Sequence, residues 1–203
     1  MITPLIETIK VGDHYVYTTE VEYVKNLDSD ALYNELWSND LLGVNYDDDG
    51  NLEDQGPGVH VTLDPNDLPH FFKDAYTIGL TLARTLRGIE GKSLSLINSE
   101  AWIIASNDEH QSYWHSHRHN ITDESGEEQT DSDYTMSVYL DVPSCGSPYT
   151  DLMMAHKDDV YSAPVEKGRL YFFDGTLFHN PLYVPKEFGW RYCAVCDYLF
   201  END

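Results

Sequence analysis

Beyond Ser93 the chain is a succession of short strand-like runs with no helical pattern between them, and this limits its fold more than any other feature. Residues 94–105, 134–142, 160–163, 169–173, 180–184 and 191–200 are β-branched or aromatic stretches separated by Gly, Pro, Asp and Ser. Strands that follow one another without helical crossovers pair antiparallel, so the pattern predicts a sandwich or a barrel. A chain of 203 residues is long enough to bury its own core, and neither a repeat nor a linker divides it. The expectation is a mainly β protein with supporting helices in one domain, residues 1–203, made of N-terminal strands and a support helix (1–92) followed by the β core (93–203).

The first half supplies the supports. Residues 2–22 alternate loosely and turn at Gly12-Asp13, which predicts two short strands. Asp28-Ser29-Asp30 caps a short helix running through Leu32 and Leu36 to Trp37. Asn66-Asp67 opens the strongest helical pattern, 68–86, in which Phe71, Phe72, Ala75, Ile78, Leu82 and Leu86 recur at helical spacing until Gly88 and Gly91 end it. That helix packs against a sheet and carries no chemistry. The Asp- and Gly-rich stretch 45–58 invites a calcium-loop reading, but with Gly50 at the invariant glycine position the twelfth place falls on Gly56, where a bidentate Glu is required. It reads as a solvated acidic loop, and the acidic, apolar-poor insert 122–133 as a mobile loop beside the histidines.

Charge and cysteine usage narrow the partners. Twelve basic residues against 36 acidic ones give a formal charge of −24, which repels nucleic-acid phosphates and anionic membrane surfaces. No apolar segment reaches the roughly 18 residues of a membrane span, and residues 1–10 lack the charged start and apolar run of a signal peptide. The three cysteines, Cys145, Cys193 and Cys196, cannot all pair, so a reduced, cytoplasmic setting is expected. Cys193 and Cys196 have C-x-x-C spacing, but residues three apart on a strand face opposite sides, which argues against a shared redox or zinc role.

The chemistry concentrates in Tyr113-Trp114-His115-Ser116-His117-Arg118-His119. In an extended segment, alternate side chains share a face, so these histidines present several imidazoles to one side. Imidazole is the commonest transition-metal ligand, and a third nitrogen from elsewhere would complete half of an octahedral shell. His14, His60, His70, His110 and His156 are read as surface or core residues.

Downstream the sequence resembles a known family. The segment from Pro164 through Gly168, Leu170 and Phe173, then Leu177-Phe178-His179-Asn180-Pro181, then Arg191-Tyr192-Cys193, looks like the C-terminal half of the iron(II)/2-oxoglutarate-dependent oxygenases, especially their prolyl-hydroxylase-like branch. Upstream, Trp102, His115-Ser116-His117 and Thr135-Met136-Ser137-Val138-Tyr139-Leu140 resemble that family's H-x-D/E motif and the strand that follows it. The likeness spans roughly 94–200. It implies a double-stranded β-helix, or jelly roll, with a metal in the mouth of the barrel.

Carried over residue by residue, the resemblance implies that His115, His117 and His179 ligate Fe(II). It also implies that Arg191 holds the far carboxylate of 2-oxoglutarate, with Cys193 where a hydroxyl usually assists and Tyr139 as a further hydrogen-bond donor. A guanidinium fork suits a carboxylate. Trp102, Trp114 and Phe173 are candidate pocket walls. The implied reaction is dioxygen-dependent hydroxylation of a substrate that the sequence does not identify; a peptide or prolyl side chain is the branch's habit, and a homodimer is common in it. The departure is His117, which stands where the usual triad has Asp or Glu. His117 with His119, or a carboxylate from Asp108, Glu109 or Asp123, is the alternative ligand set. The rival functions are a jelly-roll metal-binding protein without activity and a three-His enzyme that ignores 2-oxoglutarate.

Overall fold

The computed structural model of the chain describes residues 5–38, 59–107, 113–117, 120–122, 128–130, 132–145, 151–182 and 184–201. The chain opens with β1 (Glu7–Val11) and β2 (His14–Glu20), then α1 (Glu22–Lys25) and α2 (Ser29–Ser38). Next come β3 (Val59–Leu63), α3 (His70–Glu90) and β4 (Leu96–Ser106). Two three-residue strands, β5 (Asn120–Thr122) and β6 (Glu128–Thr130), precede β7 (Tyr134–Asp141), β8 (Leu152–His156), β9 (Asp159–Ala163), β10 (Arg169–Asp174), β11 (Phe178–Pro181) and β12 (Arg191–Phe200).

The strands build two opposed sheets and a small hairpin. Seven pair in the order β1-β2-β10-β7-β12-β4-β3, and three in the order β11-β8-β9, with every pairing antiparallel. His115 adds a bridge to His179 at the free edge of β11, which extends the small sheet to the histidine segment. This is the expected jelly roll: from β7 to β12 the chain passes repeatedly between the large and small sheets, whose facing side chains form one interior cluster.

The large sheet is buried on both faces, and the alternation of each central strand divides its side chains between two cores. Along β7, Tyr134, Met136, Val138 and Leu140 join the cluster beneath the helices, whereas Tyr139 joins the one between the sheets. Along β12, Ala194, Cys196, Tyr198 and Phe200 face the helices and Cys193 and Val195 face the interior. Cys193 and Cys196 therefore lie on opposite sides of the sheet, as their spacing predicts. Burial pushes the Cys193 thiol up to about 12, so it is a neutral packing group. Native protein at pH 8 should leave both β12 cysteines unmodified by iodoacetamide while half-exposed Cys145 reacts, as peptide mass spectrometry would show.

Helix α3 is the main support, and its stripe of Phe71, Phe72, Ala75, Leu82 and Ala83 lies on the sheet. It begins at His70, behind Pro69, and runs through Gly88; Gly91, at φ 71°, is the cap that stops it. The expected helix over 68–86 is thus displaced toward the C-terminus, because a glycine inside a helix costs only about 1 kcal/mol when the flanking turns are packed. Asp28 caps α2 as expected, accepting a hydrogen bond from the Ala31 amide at 3.0 Å. The 45–58 stretch lies outside the described residues, as do 123–127 and 131 of the 122–133 insert, whose last residues Ser132 and Asp133 are buried.

Gly79 shows how closely helix and sheet approach. A Cβ built there would clash with the Tyr198 hydroxyl oxygen, which donates a hydrogen bond to the Tyr76 carbonyl at 3.0 Å. Alanine is the better helix former, yet Gly79→Ala should destabilise the protein by about 1–3 kcal/mol through overpacking. A thermal melt should show a midpoint lower by several degrees.

Candidate metal centre

The histidine segment is fixed at both ends of its short extended run. The His115 amide donates to the His179 carbonyl at 3.0 Å, and the His179 amide returns the bond to the His115 carbonyl at 2.9 Å. The His117 amide donates to the Gly175 carbonyl at 2.9 Å, in the turn between β10 and β11. That turn is itself held by Asp174, which accepts from the Thr176 amide at 2.8 Å. Backbone pairing thus brings His115 and His117 to His179 across more than sixty residues of sequence. One ring nitrogen from each of the three lies within 4.8 Å of the others.

The other ring nitrogens define the tautomers. His115 Nδ1 lies 2.9 Å from the Tyr113 carbonyl, His179 Nδ1 lies 3.0 Å from the Leu177 carbonyl, and His117 Nδ1 lies 2.8 Å from Asp197 Oδ2. Carbonyls and carboxylates only accept, so all three Nδ1 atoms carry the proton and all three Nε2 lone pairs are available. His117 Nε2 and His179 Nε2 stand 3.2 Å apart with no proton to share. Two ligands at about 2.0–2.1 Å from one ion are about 2.9 Å apart at a right angle and about 3.4 Å apart at the tetrahedral angle, so this spacing suits a shared metal. His179 is 6% exposed, and burial, with the two neighbouring imidazoles, holds its pKa well below the usual histidine range. It is a neutral imidazole at physiological pH.

Packing around the rings is aromatic. Trp102 of β4 stacks on His117, with ring centroids 5.6 Å apart and planes 14° apart, and Phe173 of β10 meets His179 edge-on at 5.0 Å. Both were expected as pocket walls. Trp114 is not one: it sits one residue off the histidine face and is 43% exposed. His119, Asp108, Glu109 and Asp123, the alternative ligands, lie outside the described residues.

Asp197 was not foreseen. It faces the interior from β12, and its second oxygen, Oδ1, accepts from the Thr135 hydroxyl at 2.6 Å. The available signal was strand periodicity, because Asp197 is an even number of residues from Arg191 and Cys193 and shares their face. Its neighbour His117, eighty positions away, is set by the fold alone.

Arg191, at the other end of that face, is 3% exposed. It donates to the Leu182 carbonyl at 2.6 Å and to the Ser106 hydroxyl at 3.2 Å, and its guanidinium lies 5.8 Å from the Tyr139 ring centroid. Its Nε is buried without a hydrogen-bond partner, and among the described residues no carboxylate forms an ion pair with it. A buried guanidinium without a counter-charge is costly, so this end of the interior fits an anion. Tyr139 is fully buried beside it, and burial keeps its phenol protonated as a donor.

No protein-family model matches this sequence, and no curated protein sequence matches it. Solved structures do. A prolyl-4-hydroxylase from Pseudomonas putida superposes with a TM-score of 0.59 at 15% identity, over 94% of this chain and 95% of its own. The viral collagen prolyl hydroxylase of Paramecium bursaria Chlorella virus-1 gives 0.56 at 13%, over 95% and 93%. A non-heme alpha-ketoglutarate-dependent carbocyclase from nogalamycin biosynthesis gives 0.53 at 10%, over 90% and 78%. The chain therefore has the jelly-roll fold of the iron(II)/2-oxoglutarate oxygenases, and the resemblance read from its motifs holds at the level of the fold. Among the described residues, no helix is long and apolar enough to cross a membrane.

Proposed function

We propose that the protein is an iron(II)- and 2-oxoglutarate-dependent oxygenase in which His115, His117 and His179 hold the metal and Arg191 holds the distal carboxylate of the co-substrate. The observation that carries this reading is the pairing, inside one jelly roll, of three converging imidazole nitrogens with a buried guanidinium that forms no ion pair among the described residues. The donor set suits a divalent first-row metal, and the imidazoles are already in the tautomer that coordination requires. Bound iron would supply dioxygen activation coupled to decarboxylation of 2-oxoglutarate.

The chain's own residues do the rest. Carbonyls and Asp197 orient the rings through Nδ1, Trp102 and Phe173 exclude water beside them, and Arg191 with Ser106 and Tyr139 positions an anion. Cys193 packs against Tyr139 without donating a strong hydrogen bond. The substrate is a small molecule or a peptide side chain; the prolyl-hydroxylase neighbours favour trying prolyl peptides first.

Arg191 separates this reading from a three-His site that ignores dicarboxylates. Arg191→Met should raise the dissociation constant for 2-oxoglutarate at least roughly 30-fold, in line with the roughly 2–5 kcal/mol lost when one partner of a buried charge pair is removed. Metal affinity should stay unchanged. Calorimetric titration reads both, and equal 2-oxoglutarate binding by variant and wild type would refute the proposal.

A further inference from the structure

We infer that the negative charge missing from the ligand set is supplied by Asp197, through the His117 ring. This rests on the three-histidine metal reading and deepens it. A three-imidazole set is neutral, whereas the common two-His, one-carboxylate set brings one negative charge to a divalent ion. Asp197 restores that charge one group further out: its Oδ2 lies 2.8 Å from His117 Nδ1, on the far side of the ring from the lone pair that meets His179. The Thr135 hydroxyl, 2.6 Å from Oδ1, holds the carboxylate in place, and both acid and imidazole are shielded, at 13% and 11% side-chain exposure. A histidine that donates to a carboxylate is a more basic and more firmly aimed ligand than one that donates to water.

Charge balance points the same way. Counting the described residues, a divalent metal, Arg191 and doubly charged 2-oxoglutarate would set three positive charges against two negative ones, and Asp197 makes them equal. A buried site needs that equality. Among the described residues, the His115 and His179 Nδ1 atoms face backbone carbonyls, whereas the His117 ring, the one in the carboxylate's place, faces an acid. Asp197 is accordingly a positioning and charge-supplying residue; it does not touch the metal.

The test uses the intact chain and Co(II), added without 2-oxoglutarate, followed by calorimetry and by the visible spectrum of the bound ion. Asp197→Asn keeps an oxygen that can accept from Nδ1 but removes the charge, and should lower Co(II) affinity about 10–100-fold. The double variant His117→Asp with Asp197→Asn moves the carboxylate into the ligand set and should recover affinity to within a few-fold of wild type. A merely structural Asp197 would give a double variant no better than Asp197→Asn.

Thr135→Val, which preserves shape while loosening the carboxylate, should cost a few-fold and settles the matter if Asp197→Asn does not fold. Affinity within two-fold of wild type in Asp197→Asn, or no recovery in the double variant, overturns the inference and leaves the oxygenase proposal intact. Wild-type Co(II) binding that depends on Asp197, in a protein that ignores 2-oxoglutarate, supports the inference and refutes the oxygenase proposal. A wild-type protein that binds no Co(II) refutes both.

Discussion

His179→Ala should abolish turnover and weaken metal binding by more than roughly 100-fold, the upper end of what loss of a mere supporting partner costs a metal site. His179 is the most buried of the three rings and faces His117 Nε2 directly. The same substitution should scarcely change the stability of the metal-free protein. Its backbone bonds to His115 survive any side chain, and removing the ring relieves a pair of lone pairs held 3.2 Å apart. Loss of binding without loss of melting temperature is the signature of a site, and calorimetry beside a thermal melt reads it. His14→Ala, at the start of β2 where the ring packs on His156 and outside the three-His group, should leave binding unchanged.

The second large effect is on stability. Arg87 is buried on α3 and forms an ion pair with Asp133 at 3.4 Å, donates to the Glu201 carbonyl at 2.7 Å, and lies over the Phe200 ring at 5.0 Å. Asp133 in turn accepts from the Phe200 amide at 2.9 Å. One guanidinium thus ties the end of the helix to the start of β7 and the end of β12. Arg87→Met should cost about 3–5 kcal/mol, because it strands a buried carboxylate, and should lower the melting midpoint by roughly 10 °C or more. Adding Asp133→Asn removes the stranded charge while keeping an acceptor for Phe200, and should recover part of the loss. A single variant that melts with wild type would show that the pair contributes nothing net.

These cases also show what a sequence of this kind discloses. β12 was legible to the residue, since Arg191–Phe200 is a largely apolar run carrying Tyr192, Val195, Tyr198 and Phe200 and is buried on both faces. The first hairpin was legible from its Gly12-Asp13 turn. β8 escaped notice because Leu152-Met153-Met154-Ala155-His156 has no β-branched residue; only pairing with β9 and β11 makes it a strand. β3 adjoins an acidic stretch and takes its strand form from β4, and four-residue α1 is too short to carry a period. β11 runs Phe178–Pro181, two residues before the expected start and short of the expected end, because its pairing with β8 stops at Pro181.

The site followed the same division. The histidine face, His179 and Arg191 could be picked out because alternation and residue chemistry are local properties. Asp197, Thr135 and the Arg87–Asp133 pair depend on which distant strand lies opposite, which only the folded arrangement specifies. On the inference that Asp197 supplies its charge through His117, a histidine in the place of the resemblance's carboxylate would displace the charge outward rather than mark a decayed site.

The most direct measurement is anaerobic titration of the iron(II)-loaded protein with 2-oxoglutarate, followed by admission of air. The account predicts a weak visible charge-transfer band that saturates with 2-oxoglutarate, is lost in Arg191→Met, and is succeeded by succinate. No band, together with no succinate in air, would contradict it.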